Sequence, residues 1–144
     1  MKIPDVNILV AVYRDDDPRH PQLVDWLRAT LGAGERILLT PAVVSGFVRV
    51  VSNFRIFSAP MGPDEAATKI DTLLGSRLVS WAMPGPRHWQ IFSRLCRDAD
   101  AHGNIVSDAA IAAVAIEHSA TLVTLDRDFA RFPQLRWELP QEQS

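Results

Sequence analysis

Short unbroken apolar runs along this chain alternate with longer stretches in which apolar residues return every three or four positions, the rhythm of strands alternating with helices. The run at 1–4 predicts a short buried strand, followed by a helix over 6–12. Arg14-Asp15-Asp16-Asp17-Pro18 is a cluster that breaks both patterns. Leu23, Trp26, Leu27 and Leu31 then share one helix face, which predicts a helix over 21–31. Ile37-Leu38-Leu39 predicts a second strand. Thr40-Pro41 supplies an N-cap and a first-turn proline for a helix through Val43, Val44, Phe47, Val48 and Val51. Residues 53–61 read as a loop, and Pro63-Asp64-Glu65 opens a helix with Ala66, Ile70, Leu73 and Leu74 facing inward. A third strand is expected at 78–82. An amphipathic helix follows at 87–101, with Trp89, Phe92, Leu95 and Cys96 on its apolar side. The stretch 107–118 is apolar nearly all round, hence a buried helix; 121–125 is a fourth strand and 135–139 a candidate fifth.

That alternation implies an α/β protein, a three-layer α/β/α sandwich around a mostly parallel sheet of four or five strands. Trp26 and Trp89 read as core residues at helical spacing, and Cys96 as packing. There is no repeat, linker or low-complexity tract, so 1–144 reads as one domain whose last few residues form a flexible tail.

Composition adds exclusions. The chain is 47% hydrophobic and 22% charged, ordinary for a soluble globular protein. No apolar run approaches the ~20 residues that span a bilayer, and the N-terminus lacks a signal-peptide layout. A lone cysteine rules out an intrachain disulfide and a cysteine-built zinc site. The expected location is the cytoplasm, with no membrane partner. A net charge of −2 argues against coating nucleic acid by bulk electrostatics. The cations are thirteen arginines against only Lys2 and Lys69. An arginine-rich rim suits RNA, although a GC-rich genome produces the same skew.

The acids change the picture most. Asp5 ends the first strand, Asp126 and Asp128 follow the fourth, and Asp108 heads a helix stripe of Ile111, Ala112 and Ala115. Ligands gather at the carboxyl ends of strands in α/β sheets, so four acids from both ends of the chain meet at one rim. Each has a local explanation: Asp5 as an Asx turn or N-cap, Asp126-Arg127-Asp128 as a cap, Asp108 as a complement to the helix dipole. Their joint placement points instead to an acidic pocket, where a divalent cation relieves carboxylate repulsion. Carboxylate-only ligation selects Mg²⁺ or Mn²⁺ and implies hydrolysis of a phosphodiester or phosphate ester. Asn7, Asn104 and Thr124 lie close by in sequence to supply neutral oxygens or hold the carboxylates. His20, His88, His102 and His118 show no ligand pairing and read as surface or capping groups, and no serine sits in a nucleophile elbow.

Several segments resemble PIN-domain proteins. These are Asp5-Val6-Asn7-Ile8-Leu9-Val10, Gly46-Phe47-Val48-Arg49-Val50-Val51-Ser52-Asn53 and Gly103-Asn104-Ile105-Val106-Ser107-Asp108-Ala109. Ala115-Ile116-Glu117-His118 and the closing Thr124-Leu125-Asp126-Arg127-Asp128-Phe129-Ala130-Arg131-Phe132 resemble them too. The pattern is similar to the VapC toxins of bacterial toxin–antitoxin pairs, in particular the mycobacterial-type branch. The resemblance implies a PIN-like sandwich and a Mg²⁺-dependent endoribonuclease cutting structured RNA such as tRNA or rRNA. It also implies a homodimer inhibited by a VapB-like antitoxin. Asp5, Asp108 and Asp126 match the family's metal-binding acids, Asp128 its accessory acid and Thr124 its supporting hydroxyl. One departure stands out: Gly46 occupies the position where many PIN domains carry a glutamate, which puts a second metal ion in doubt. Arg49, one turn on, is expected to face phosphate or structure the pocket.

Two other classes compete. A receiver-like domain that phosphorylates an aspartate needs a lysine late in the chain, and Lys69 is the only lysine beyond Lys2; a haloacid-dehalogenase-type phosphatase fails on the same lack and on Asp5-Val6-Asn7. A non-catalytic, degenerate PIN fold that binds RNA or protein draws support from Gly46, but gives no reason to keep four like charges together.

Overall fold

The computed structural model describes residues 1–141, so the end of the expected tail lies outside the described residues. The elements are β1 (Lys2–Pro4), α1 (Val6–Tyr13), α2 (His20–Gly32), β2 (Ile37–Leu39), α3 (Pro41–Val51), α4 (Pro63–Leu74) and β3 (Val79–Trp81). They continue as α5 (His88–Asp98), α6 (Asn104–Glu117), β4 (Thr121–Val123), a 3-10 turn (Arg127–Arg131) and β5 (Trp137–Glu138).

Five strands form one sheet in the order β3-β2-β1-β4-β5. Every pairing is parallel. Parallel strands buried on both faces need unbroken apolar runs, and Ile37, Leu38 and Leu39 are all buried. From β1 the chain steps outward to β2 and β3, then returns across the sheet to β4 and β5 on the other side. Strand order therefore reverses between β1 and β4, and the crevice beyond their carboxyl ends is where an α/β sheet binds ligands. Right-handed crossovers place α1 to α4 on one face and α5 with α6 on the other. The packing of α1 on α2 and α3, of α3 on α4, and of α5 on α6 agrees.

One hydrophobic cluster gathers side chains from both faces, with Ile3, Ile8, Leu23, Phe47, Leu122 and Phe129 among its buried members. Burying a side chain of this size stabilises the fold by roughly 1.5–3 kcal/mol. The alanine-rich α6 buries Ala109 and every residue from 111 to 115, close-packed because its side chains are small.

Three sequence expectations need correction. α6 begins at Asn104, directly after Gly103 at φ 57, rather than at 107. Asp108 thus sits in the second helical turn, where the helix dipole no longer accounts for it. Trp89 is 71% exposed instead of core. It lies six residues before buried Leu95, about 120° around the helix, while Ile91 and Phe92 fill the inner face. Thr40 takes the N-cap position of α3 but makes no capping bond, and its buried hydroxyl has no partner among the described residues.

Candidate active site

Register builds the site. Pro4 pairs with Val123, and the Asp5 amide donates to the Val123 carbonyl at 2.9 Å, so Asp5 and Thr124 leave their strands side by side. The Thr124 hydroxyl donates to Asp5 Oδ2 at 2.6 Å, and the Val6 amide donates to Asp5 Oδ1 at 2.7 Å. Capping α1 and joining the acidic site are thus the same act for Asp5. Asn7 bridges the two elements: its Nδ2 reaches Thr124 Oγ1 at 3.4 Å, and its Oδ1 accepts the Leu125 amide at 3.2 Å. Thr124 Oγ1 also accepts the Asp126 amide at 3.0 Å. Asp126 Oδ1 accepts the Asp128 amide at 2.9 Å and starts the 3-10 turn.

A cavity of about 920 Å³ opens over this junction. Asp5, Asn7, Leu125 and Asp126 form its floor, and α6 contributes Asn104, Ser107 and Asp108. From α3 come Ser45, Gly46 and Arg49. Of the residues expected from sequence, Asp5, Asn7, Arg49, Asn104, Asp108 and Asp126 share this cavity. Thr124 lies buried beneath it. Asp128 is outside the lining, with its side chain 73% exposed and 3.7 Å from Arg131. Asp17 and Arg19 also line the cavity and escaped the sequence reading. Their turn reads only as a helix break, and no local periodicity shows that it folds back over α1.

Electrostatics set these acids apart. The Asp108 side chain makes no hydrogen bond or ion pair among the described residues, and burial followed by the charges of Asp5 and Asp126 pushes its carboxyl up to about 6; Arg131 opposes this. Burial also raises Asp5, against the hydrogen bonds from Thr124 and Val6. No cation pairs with Asp5, Asp108 or Asp126 among the described residues.

Gly46 has a packing reason. A Cβ there would meet Val6 Cγ2 at 2.8 Å, so α3 approaches α1 too closely for a larger residue. No acid from α3 reaches the cavity.

Among the described residues no group of three His, Cys, Asp or Glu side chains stands ready to hold a metal ion. The fit to a divalent cation lies in charge and donor type: three carboxylates line one cavity, none has an ion-pair partner among the described residues, and the charges of Asp5 and Asp126 add to burial in raising Asp108. The histidines do not compete; His20, His102 and His118 each bond a backbone carbonyl through a ring nitrogen.

Residues 2–135 match the family model of the PIN domain, and the chain belongs to that family. It is 41% identical over 136 residues to ribonuclease VapC43 of Mycobacterium tuberculosis, covering 94% of this chain and 92% of the relative. Ribonuclease VapC25 of the same organism is 36% identical over 94% of this chain and 96% of its own length. Among solved structures, Rickettsia felis VapBC2 bound to promoter DNA superposes with a TM-score of 0.71 at 21% identity, covering 96% of this chain and 97% of that one. The sarcin–ricin-loop-cleaving toxin VapC20 of M. tuberculosis superposes at 0.64 and 17% identity, over 90% and 93%. These structures share the PIN fold.

Proposed function

We propose that this protein is a VapC-like toxin, a divalent-metal-dependent endoribonuclease that hydrolyses phosphodiester bonds in structured RNA such as tRNA or rRNA. One observation carries the reading: Asp5, Asp108 and Asp126 reach one cavity at the sheet's switch point without an ion-pair partner among the described residues. Relatives named as ribonucleases at 36% and 41% identity support RNA as the substrate class. The VapBC complex among the structural neighbours supports a VapB-like antitoxin as the inhibitory partner. A homodimer acting in the cytoplasm completes the proposal; no described helix is long and apolar enough to cross a membrane.

Asp5, Asp108 and Asp126 would hold Mg²⁺, with Mn²⁺ able to substitute. An ion held there would supply the Lewis-acid chemistry that phosphodiester hydrolysis needs, polarising a water and offsetting charge on a phosphoryl oxygen. The protein's own groups do the rest. Thr124 and the Val6 amide fix the Asp5 carboxylate before any ligand arrives. Asp108, with no side-chain partner among the described residues, would bring an unpaired carboxylate to the ion. Arg49 lines the cavity without a side-chain partner among the described residues and would face the substrate phosphate. Asp128 acts through Asp126, whose carboxylate its amide orients. With Ser45, Gly46 and Arg49 as the α3 contribution, one ion is the expected complement.

The binding-only alternative loses its main support, because contact with Val6 accounts for Gly46. The test is incubation of total bacterial RNA with antitoxin-free protein in Mg²⁺, Mn²⁺ or EDTA, beside a folded Asp126→Asn variant. Discrete fragments that require both metal and Asp126 support the reading. Intact RNA in every metal sinks it.

A further inference from the structure

Several arginines are tied into the fold. Arg14 is buried, pairs with Asp16, donates to the Ala59 carbonyl at 2.8 Å and lies 4.1 Å from the Phe57 ring centroid. Arg87 donates to the Glu117 carbonyl, Arg136 to the Ser119 carbonyl and Arg131 to the Asp128 carbonyl. These hold loops and helix ends. Among the arginine side chains with no hydrogen bond or ion pair to the described residues, Arg19 and Arg127 converge from distant parts of the chain on a second hollow of about 380 Å³.

That hollow adjoins the acidic cavity, because Arg19 and Leu125 line both. Leu125 forms the saddle between them, one residue before Asp126. The surface therefore runs as a continuous trough from Asp108 and Asn104, across Asp5 and Asp126, to Arg19 and Arg127. Two like charges left free beside one another gain nothing for folding. Their planar guanidinium groups suit a phosphodiester, to which each offers a paired set of donors. Among the described residues no aromatic side chain lines the second hollow, so none of them stacks on a base there.

We propose that Arg19 and Arg127 form a phosphate-binding subsite for the RNA backbone beside the scissile bond. The subsite rests on the ribonuclease reading, in which a strand of negative charge must cross an acidic floor. The arginines hold the neighbouring phosphate, and so draw the strand across carboxylates that would otherwise repel it. Contacts of this kind set position and register without reading sequence. Arg19 and Arg127 are positioning residues, and their loss acts on binding ahead of chemistry.

The experiment uses Arg19→Gln, Arg127→Gln and the double variant, each checked for unaltered thermal unfolding. Affinity for a short fluorescein-labelled single-stranded RNA of mixed sequence is measured by anisotropy in EDTA, from about 50 to 200 mM salt. Each single variant should weaken binding about three- to tenfold and lower the slope of log affinity against log salt by about 0.7. The double variant should lower the slope by about twice that. On an RNA that the wild type cleaves in Mg²⁺, KM should rise while kcat holds. Variants that match a cleaving wild type in affinity, slope and KM overturn the subsite and leave the ribonuclease reading standing. A wild type that neither binds nor cleaves RNA overturns both. Unchanged RNA binding with loss of the antitoxin complex assigns the arginines to an acidic protein partner and also overturns the subsite.

Discussion

Replacing a proposed catalytic acid should make the metal-free protein more stable. Asp108 is half-buried, unpaired and close enough to Asp5 and Asp126 that its pKa rises from 3.8 to about 6. The native state therefore holds this proton to higher pH than the unfolded chain does. Stability falls as pH rises from about 4 to about 6, and the penalty is complete above that window. The full rise corresponds to about 3 kcal/mol at neutral pH. Solvent reaches part of the carboxylate and screens it, which brings the expected penalty to about 1–2 kcal/mol. Asp108→Asn keeps the shape and removes the charge. In EDTA at pH 7.5 it should unfold about 3–6 °C above wild type, and the gap should close below pH 4. Differential scanning calorimetry across this pH range measures both. Saturating Mg²⁺ should reverse the order, because the ion stabilises only the protein that binds it. An Asp108→Asn protein less stable than wild type in EDTA at pH 7.5, or a gap independent of pH, would refute the reasoning.

Other outcomes follow from the same contacts. Thr124→Val strips a buried hydroxyl that joins Asp5, Asn7 and the Asp126 amide, and urea unfolding should show a loss of about 1–3 kcal/mol. Gly46→Ala should cost about 1–3 kcal/mol by crowding Val6, but the same change in a Val6→Ala background should be neutral or stabilising, since alanine suits a helix better than glycine. Glu117 accepts the Gly85 and Arg87 amides at 2.7 and 2.9 Å, and these bonds hold its pKa below 4.5 against the effect of burial. Glu117→Gln should therefore weaken the protein at pH 7, and the difference from wild type should fade as pH drops below about 4, followed by chemical denaturation at several pH values.

Most of the framework was legible because local and tertiary signals agreed. Ile37-Leu38-Leu39 is a strand in both readings, and Thr40-Pro41 marks the start of α3 even without a capping bond. Asp5, Asp108 and Asp126 were legible as a group because α/β topology tells which ends of strands share a rim. What stayed hidden depended on distance across the fold. Trp89 has helical spacing like that of Trp26, and only the packing of α5 on α6 decides that one is exposed and the other buried. Asp17 and Arg19 reach the cavity through a turn whose direction no periodicity encodes. The glycine at 46 looked like a missing acid until the approach of Val6 gave it a steric cause.

Asp5, Asp108 and Asp126 are proposed to make one divalent-cation site that cleaves RNA. Its most direct test is calorimetric titration of Mn²⁺ into antitoxin-free protein, paired with RNA cleavage by the same samples. Wild type should bind one ion per chain, with a parallel loss of binding and cleavage in Asp5→Asn, Asp108→Asn and Asp126→Asn. Undiminished Mn²⁺ binding in all three variants, or RNA cleavage that persists in EDTA, would contradict it.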